Sequence, residues 1–380
     1  MERIYLDHAA TSPIHPRVVN EIVSVMNGPF GNPSSIHSFG REARQLLDQA
    51  RMGVAESIGS KFNEIIFTSG GTEADNLAIT GVAKAMKSKG KHIITSTIEH
   101  HAVLHICEQL EKDGYEVTYL PVNEDGIISI EDVKQALRED TILVTIMYGN
   151  NEVGTIQPIK EIGEVLKGHQ AYFHTDAVQA YGMLEIDVNE ENIDLLSVSA
   201  HKINGPKGIG FLYASDNVKL EATIFGGEQE RKRRAGTENI PYIMGFLEAV
   251  EISLQSMEEK RKQYLIFKEK LKDVLEENEV EFYQNGSLEQ SLPHVLNLSF
   301  PGTDVESMLV NLDLSRIAVS SGSACTAGSI EPSHVLVAMF GKDSERLRNS
   351  IRFSFGLYNT LEQIEYTGNE VAKVVNRLRS

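Results

Sequence analysis

Short apolar runs alternate with amphipathic stretches from about residue 60 to about residue 215. Each parallel strand pair needs a crossover connection, so this alternation predicts a mostly parallel sheet covered by helices on both faces. The predicted strands are Glu64–Thr68, His92–Ser96, Val117–Leu120, Ile142–Met147, Tyr172–Thr175, Leu195–Val198 and Gly210–Tyr213. The predicted helices between them are Thr72–Ser88, Ala102–Lys112, Glu131–Leu137 and Ile159–Leu166. Short connections near the last strands indicate that at least one strand runs antiparallel.

A second region follows a long, charge-rich helical pattern over Pro241–Glu277. Strand-like runs at Val295–Ser299 and Ile351–Ser354 mix there with helical patterns at Val305–Leu312 and Leu361–Leu378, as in a smaller α+β domain. A chain of 380 residues exceeds one small core, so we expect two domains. The expected large domain spans residues 16–250, and the expected small domain combines residues 1–15 with residues 251–380.

The bulk properties of the chain exclude several classes of protein. A formal net charge of −18 argues against nucleic-acid binding as the main activity. The basic run Arg231–Arg234 is a local exception, and we expect it near the active site or a dimer contact. No apolar run is long enough to span a bilayer and the N-terminus lacks a signal-peptide layout, so we expect a cytoplasmic protein that binds no membrane. Cys107 and Cys325 lie outside CxxC motifs, which argues against a structural metal site.

The segment Ser199–Gly208 follows a predicted strand and is rich in small residues and glycine. A lysine at such a strand end, here Lys202, can form a Schiff base with an aldehyde cofactor. The alternative is a surface turn that contains a lysine.

Two further strand ends carry polar residues that suit such a cofactor. Thr68–Asn76 contains a glycine-containing turn between a strand and a helix, where backbone N–H groups and the Thr72 hydroxyl suit a phosphate. Asp176 follows a buried-type strand, where a carboxylate can pair with a protonated pyridine nitrogen. Helix capping is the alternative explanation for both segments.

The three segments occur in the order found in fold-type I pyridoxal phosphate enzymes, and the whole chain resembles the NifS/IscS group of cysteine desulfurases. The segments that carry the resemblance are Tyr5–Thr11, Phe30–Ser35, Ser69–Glu73, Glu99–His100, Asn150–Gly154, His201–Lys202, Arg234–Thr237 and Ser320–Cys325. The resemblance implies an α/β fold-type I transferase with pyridoxal 5'-phosphate as cofactor.

The resemblance also implies roles for individual residues. Lys202 is expected to be the Schiff-base lysine that moves the α-proton, and Asp176 is expected at the ring nitrogen. His100 is expected to be a catalytic residue that stacks on the ring and helps proton transfer. Gln179 and Asn151 are expected at the ring hydroxyl. The residues expected at the phosphate are Gly71, Thr72, Ser199 and His201, with Thr237 supplied by a second subunit.

Arg352 is expected to pair bidentately with the substrate carboxylate, with help from Asn32. Cys325 lies in a segment of small residues, about 321–332, which favours a mobile loop that carries a thiolate. The alternative is a cysteine in a structural turn. Cys107 lies in a helical pattern and is expected to serve packing.

The implied reaction converts L-cysteine to L-alanine and leaves a persulfide on Cys325. The chain is similar to the long-cysteine-loop branch of the family, which implies a homodimer that passes the sulfur to an acceptor protein. That acceptor would be an iron–sulfur scaffold or a tRNA thiolation enzyme. The alternatives are a selenocysteine lyase, another pyridoxal phosphate lyase or aminotransferase, and a non-catalytic sulfur carrier.

Overall fold

The structure is a computed structural model that describes residues 3–322 and 332–379. Its strands are β1 (Ile4–Tyr5), β2 (Ile65–Thr68), β3 (His92–Ser96), β4 (Glu116–Leu120), β5 (Thr141–Thr145), β6 (Tyr172–Asp176), β7 (Leu195–Ser199), β8 (Gly210–Ala214), β9 (Tyr283–Asn285), β10 (Val295–Ser299), β11 (Ile317–Ala318) and β12 (Ser350–Ser354). Its helices are α1 (Pro16–Met26), α2 (Ser38–Glu56), α3 (Gly71–Ala85), α4 (His101–Lys112), α5 (Ile130–Ala136), α6 (Ile159–Leu166), α7 (Ile240–Gln255), α8 (Met257–Glu277), α9 (Val305–Leu314), α10 (His334–Phe340) and α11 (Leu361–Arg379).

A seven-stranded sheet with the order β2-β8-β7-β6-β5-β3-β4 forms the centre of the molecule. Strand β8 runs antiparallel to both of its neighbours, and the other pairs are parallel. The central strands are buried along their whole length, as in β5 and β7, because helices cover both faces. The predicted α/β fold with a mostly parallel sheet and an antiparallel strand is therefore confirmed.

Helices α1 and α2 precede the sheet and pack against α7. The sequence patterns did not predict either helix. Each begins after a histidine, His15 or His37, whose ring accepts a hydrogen bond from a backbone N–H of the first turn. Pro16 adds a favourable first residue to α1, since proline needs no backbone donor there.

The helical pattern over Pro241–Glu277 forms two helices, α7 and α8. The helix is interrupted at Ser256, whose hydroxyl donates to the carbonyl oxygen of Ile252 and whose backbone leaves the helical region. Helix α7 is mostly apolar and packs beside α1 and α2, whereas α8 buries a single stripe against α11. The interruption lets the two halves pack in different cores.

A smaller antiparallel sheet, ordered β12-β10-β9, lies with α8, α9 and α11 around a separate apolar cluster. The N-terminal segment joins this region, because β1 pairs in parallel with β11 and Asp7 bridges to Ser354. Ile4 and Leu6 belong to its core. The division into residues 16–250 and residues 1–15 with 251–380 stays a prediction.

No helix in these two described ranges is long and apolar enough to cross a bilayer.

The basic run lies on a loop that a buried ion pair attaches to the large sheet. Arg51 donates through both terminal nitrogens to the carboxylate of Glu230 at 2.7 Å. The same carboxylate accepts from the backbone N–H of Phe67 in β2. Arg234, at the end of the run, donates to Glu73 at the start of α3. Both ends of this loop, Glu230 and Arg234, are therefore attached by ion pairs to residues elsewhere in the chain.

We predict that Arg51→Met destabilises the protein much more than the loss of a surface ion pair. The substitution leaves the Glu230 carboxylate buried without its counter-charge, which costs about 3–5 kcal/mol. Arg17→Met is the control, because Arg17 pairs with Glu248 on the surface and its loss costs about 1 kcal/mol or less. Urea unfolding followed by circular dichroism measures both. Equal shifts of the two unfolding midpoints would contradict the prediction.

Candidate active site

A cavity of about 420 Å³ opens at the carboxyl ends of the parallel strands. Ligands of open α/β sheets bind at this edge, because the loops that follow the strands converge there. Ten of the residues predicted from the sequence line it: Gly71, Thr72, His100, Asn151, Asp176, Gln179, Ser199, His201, Lys202 and Arg352.

Lys202 ends a short 3₁₀ turn, Ala200–Lys202, that follows β7. Its ammonium donates hydrogen bonds to the carbonyl oxygens of Ala9 and Ala10 in the N-terminal segment. Burial and the neighbouring Arg352 guanidinium lower the pKa of Lys202 to about 8. A substantial fraction of this amine is therefore neutral near physiological pH, as a nucleophile for an aldehyde requires.

Asp176 is the last residue of β6, and its carboxylate accepts a hydrogen bond from the backbone N–H of Val178 at 2.9 Å. Burial raises the pKa of Asp176, while His100 and Lys202 oppose that rise. Asp75, from α3, also lines the cavity, and burial together with the Asp176 charge raises its pKa strongly. Two buried carboxyl groups at one wall favour a ligand that brings a positive charge.

His174 lies beneath this wall and is held between two hydroxyls. Its Nδ1 is 2.8 Å from the hydroxyl of Thr145, and its Nε2 is 3.0 Å from the hydroxyl of Ser197. Complete burial lowers the pKa of His174 to about 3. The ring is therefore neutral and does not supply the missing positive charge.

His100 is the residue immediately before α4, and its Nδ1 accepts a hydrogen bond from the backbone N–H of Ala102 at 3.1 Å. This bond fixes the ring plane and leaves the hydrogen of the neutral imidazole on Nε2. Burial lowers the pKa of His100, so the ring is neutral in the cavity wall. Such a ring suits stacking on a flat aromatic ligand.

A second cavity of about 330 Å³ lies at the N-terminus of α3. Gly70 has a φ of 145°, which only glycine adopts readily, and this conformation turns the chain from β2 into the helix. The first N–H groups of the helix, the hydroxyls of Thr72 and Ser199 and the ring of His201 are donors for an anion there. Burial lowers the pKa of His201 to about 4, so this donor is a neutral ring.

Arg352 comes from β12 of the small sheet. Its Nη1 donates to the carbonyl oxygen of Asn151 at 2.8 Å, and its Nη2 donates to the Asp7 carboxylate at 2.7 Å. Its Nε is buried and has no hydrogen-bond partner in the described part of the chain. A buried guanidinium with spare donors favours a carboxylate ligand.

Several residues of the site were not predicted. Glu152 lines the cavity and accepts a hydrogen bond from the hydroxyl of Ser333, the residue before α10. Burial raises the pKa of Glu152. His334 also lines the cavity, and its ring lies 4.8 Å from that of His101. No motif spacing in the sequence singled out either residue.

Three predicted residues are not among those that line the cavity. Asn32 and Thr237 are exposed in the single chain, and the Asn32 side chain accepts a hydrogen bond from Ser34. Their expected roles stay predictions. Cys325 lies outside the described residues. Cys107 is buried in α4, and burial raises the pKa of its thiol.

Within the described ranges, no group of three or more His, Cys, Asp or Glu side chains is arranged to hold a metal ion.

The residues present fit pyridoxal phosphate. The cavity offers an amine of lowered pKa in Lys202, a buried carboxylate in Asp176 and a flat neutral ring in His100. An anion cradle lies beside them at the start of α3. These groups match the aldehyde, the ring nitrogen, the ring face and the phosphate of this cofactor.

The model of the family described as "Aminotransferase class-V" matches residues 4–367. A Bacillus subtilis (strain 168) protein named "Putative cysteine desulfurase IscS 1" is 64% identical over 378 residues, which is 100% of both chains. A solved structure named "NIFS-LIKE PROTEIN" has a TM-score of 0.92 at 35% identity and covers 99% of this chain and 100% of its own. Another, "SspA in complex with cysteine", has a TM-score of 0.80 at 38% identity over 94% and 100% of the two chains.

We predict that Lys202 of the cofactor-free protein reacts with an amine acylating reagent at lower pH than exposed lysines do. Only the neutral amine reacts, so the labelling of each lysine should rise through its pKa. The midpoint for Lys202 should lie near pH 8, whereas the midpoint for an exposed lysine should lie near its ordinary pKa of about 10.4. Peptide mass spectrometry over pH 6–11 measures the two midpoints within one sample.

The control for the cause of this shift is Arg352→Gln. Removing the guanidinium removes a charge that disfavours the ammonium form, so the Lys202 midpoint should move to higher pH. A midpoint that moves to lower pH, or a wild-type midpoint near 10, would contradict the assignment.

Proposed function

The chain belongs to the class-V aminotransferase family, as one of its IscS/NifS cysteine desulfurases, and we propose that it converts L-cysteine to L-alanine and a persulfide on Cys325. The observation that carries the proposal is the convergence of Lys202, Asp176, His100 and Arg352 on one cavity. A plain amino-acid lyase would share all four residues, because its substrate also carries an α-carboxylate. The thiol of Cys325, close in sequence to the cavity residues Ser320 and Gly322, favours sulfur transfer.

Pyridoxal phosphate, when bound, supplies a ring that withdraws the electrons left at the α-carbon of an amino acid. Lys202 would hold its aldehyde carbon, Asp176 its ring nitrogen, and Gln179 and Asn151 its ring hydroxyl. Its phosphate would lie against Gly71, Thr72, Ser199 and His201, with Thr237 of a second subunit completing the cradle.

Arg352 would orient the substrate through its carboxylate, with Asn32 contributing at the same group. The guanidinium is already fixed by Asp7 and Asn151, so it meets the substrate in a defined orientation. Lys202, with a pKa lowered to about 8, would take the α-proton at Nζ and return it.

Cys325 would receive the sulfur. Its thiolate forms a bond to the substrate sulfur while the bond between that sulfur and the substrate Cβ breaks. The electron pair stays with the carbon skeleton, which is protonated at Cβ to give the methyl group of alanine. The persulfide would then pass to an acceptor protein of iron–sulfur cluster assembly or of tRNA thiolation.

We also propose a homodimer. One face of α1 exposes Val19, Val23 and Met26, which are spaced as neighbours on a helix. The rings of Phe30 and Phe39 lie 5.2 Å apart although they are 80% and 50% exposed. An exposed apolar surface of this kind favours coverage by a second copy.

We predict that Cys325→Ala lowers transfer of sulfur to an added thiol acceptor by about a hundredfold or more, because the covalent carrier is lost. The visible absorbance of the bound cofactor should remain, since Lys202 is intact. Alanine release and sulfide after reduction measure the reaction. Cys107→Ala is the matched control and should turn over normally, because the Cys107 thiol is buried in α4. Full turnover by Cys325→Ala would overturn the assignment.

We predict that Val23→Lys weakens the dimer, because it places a charge on the exposed apolar face of α1. Analytical ultracentrifugation should show a larger monomer fraction at equal concentration. Leu314→Lys is the control: Leu314 is 77% exposed on α9, away from this face, and the variant should sediment like the wild type. A monomeric wild type would refute the proposed assembly.

A further inference from the structure

His294 lies in the connection that leads into β10 and is 5% exposed. Its Nε2 is 3.2 Å from the side-chain oxygen of Gln179, which lines the candidate active site. Its Nδ1 is buried and has no hydrogen-bond partner among the residues described. The ring therefore reaches the site only through Gln179.

The orientation of the Gln179 amide follows from its partners. The amide nitrogen lies 2.9 Å from the carbonyl oxygen of Ala9, which can only accept, so the nitrogen must face that oxygen. The amide oxygen is then left for His294. Because this oxygen also only accepts, His294 must carry its hydrogen on Nε2.

The position of His294 is fixed from three sides. Its own carbonyl oxygen accepts a hydrogen bond from the backbone N–H of Phe355. Two residues earlier, the backbone N–H of Leu292 donates to Gly154, and the carbonyl oxygen of Leu292 accepts from the buried Lys268 ammonium at 2.6 Å. The backbone that carries the imidazole is therefore fixed beside Gln179.

The groups around the ring keep it neutral. Burial together with Lys268, His8, Lys202 and Arg352, all cationic or able to become so, lowers the pKa of His294 to about 3. A neutral ring with one hydrogen on Nε2 and a lone pair on Nδ1 is therefore the form present at physiological pH.

We propose that His294 is a positioning residue that locks the Gln179 amide with its nitrogen, and not its oxygen, available to the cavity. The second amide hydrogen is then a donor for an electron-rich oxygen of the bound cofactor, the ring hydroxyl oxygen. Without the His294 donor, the amide is held at its nitrogen alone, by Ala9, and the second amide hydrogen is no longer fixed toward that oxygen. The inference rests on the proposed function because it assigns the ligand oxygen to pyridoxal phosphate.

The test compares His294→Gln with His294→Asn, which differ by one methylene and are both polar. The Gln amide nitrogen reaches the place of the imidazole Nε2, whereas the Asn amide is too short. We expect His294→Asn to retain pyridoxal phosphate about five to ten times more weakly than the wild type, the effect of one lost hydrogen bond. The visible absorbance of the cofactor bound to His294→Asn should also change with pH, with a midpoint at higher pH than in the wild type. His294→Gln should stay within about twofold of the wild type.

A merely structural role is tested in the Gln179→Ala background. There His294→Asn should change cofactor retention and the absorbance midpoint no further, because the residue acts through Gln179. Equal losses in both backgrounds, or wild-type behaviour of His294→Asn, would overturn the proposal.

¹⁵N NMR of the cofactor-free protein gives a readout that does not depend on the reaction. It should show a neutral His294 with its hydrogen on Nε2, and a hydrogen on Nδ1 would overturn the proposal. If the wild type binds pyridoxal phosphate but releases no alanine from cysteine, the proposed function fails while these measurements still decide the role of His294.

Discussion

The shared direction of β3, β5, β6 and β7 is the constraint on which the site depends. Parallel strands end at the same edge, so the residues that follow them meet although they are far apart in sequence. Asp176 ends β6, Lys202 follows β7, and His100 follows β3. The helices that connect the strands return the chain to the opposite edge and leave this one open for a ligand.

The N-terminal segment joins the two cores across this edge. The carbonyl oxygen of Ala9 accepts hydrogen bonds from both Lys202 and Gln179, and Asp7 accepts from Arg352. Arg352 itself belongs to the small sheet, whereas Lys202 and Gln179 follow strands β7 and β6 of the large one. A displacement of residues 7–10 would therefore disturb the amine, the amide and the guanidinium together.

The residues that chemistry requires were predictable from the sequence, and the residues that support them were not. Lys202, Asp176 and Thr72 each come just after a strand that the sequence pattern predicts. All three line the cavity, as predicted. His294 reaches the border of the site by long-range packing against Gln179. No local pattern encodes such contacts. The interruption at Ser256 was missed because one hydroxyl hydrogen bond left the helical periodicity on both sides unchanged.

The antiparallel strand β8 has a consequence for the order in which the protein forms during synthesis. Among the described residues, strand β2 pairs in the large sheet with β8 alone, and β8 lies between it and β7. The turn after β2, which starts the anion cradle, therefore lacks its sheet support until residues 210–214 have left the ribosome. Such a contact between distant segments closes slowly. The anion cradle at the start of α3 is then expected to be among the last features of the large sheet to form.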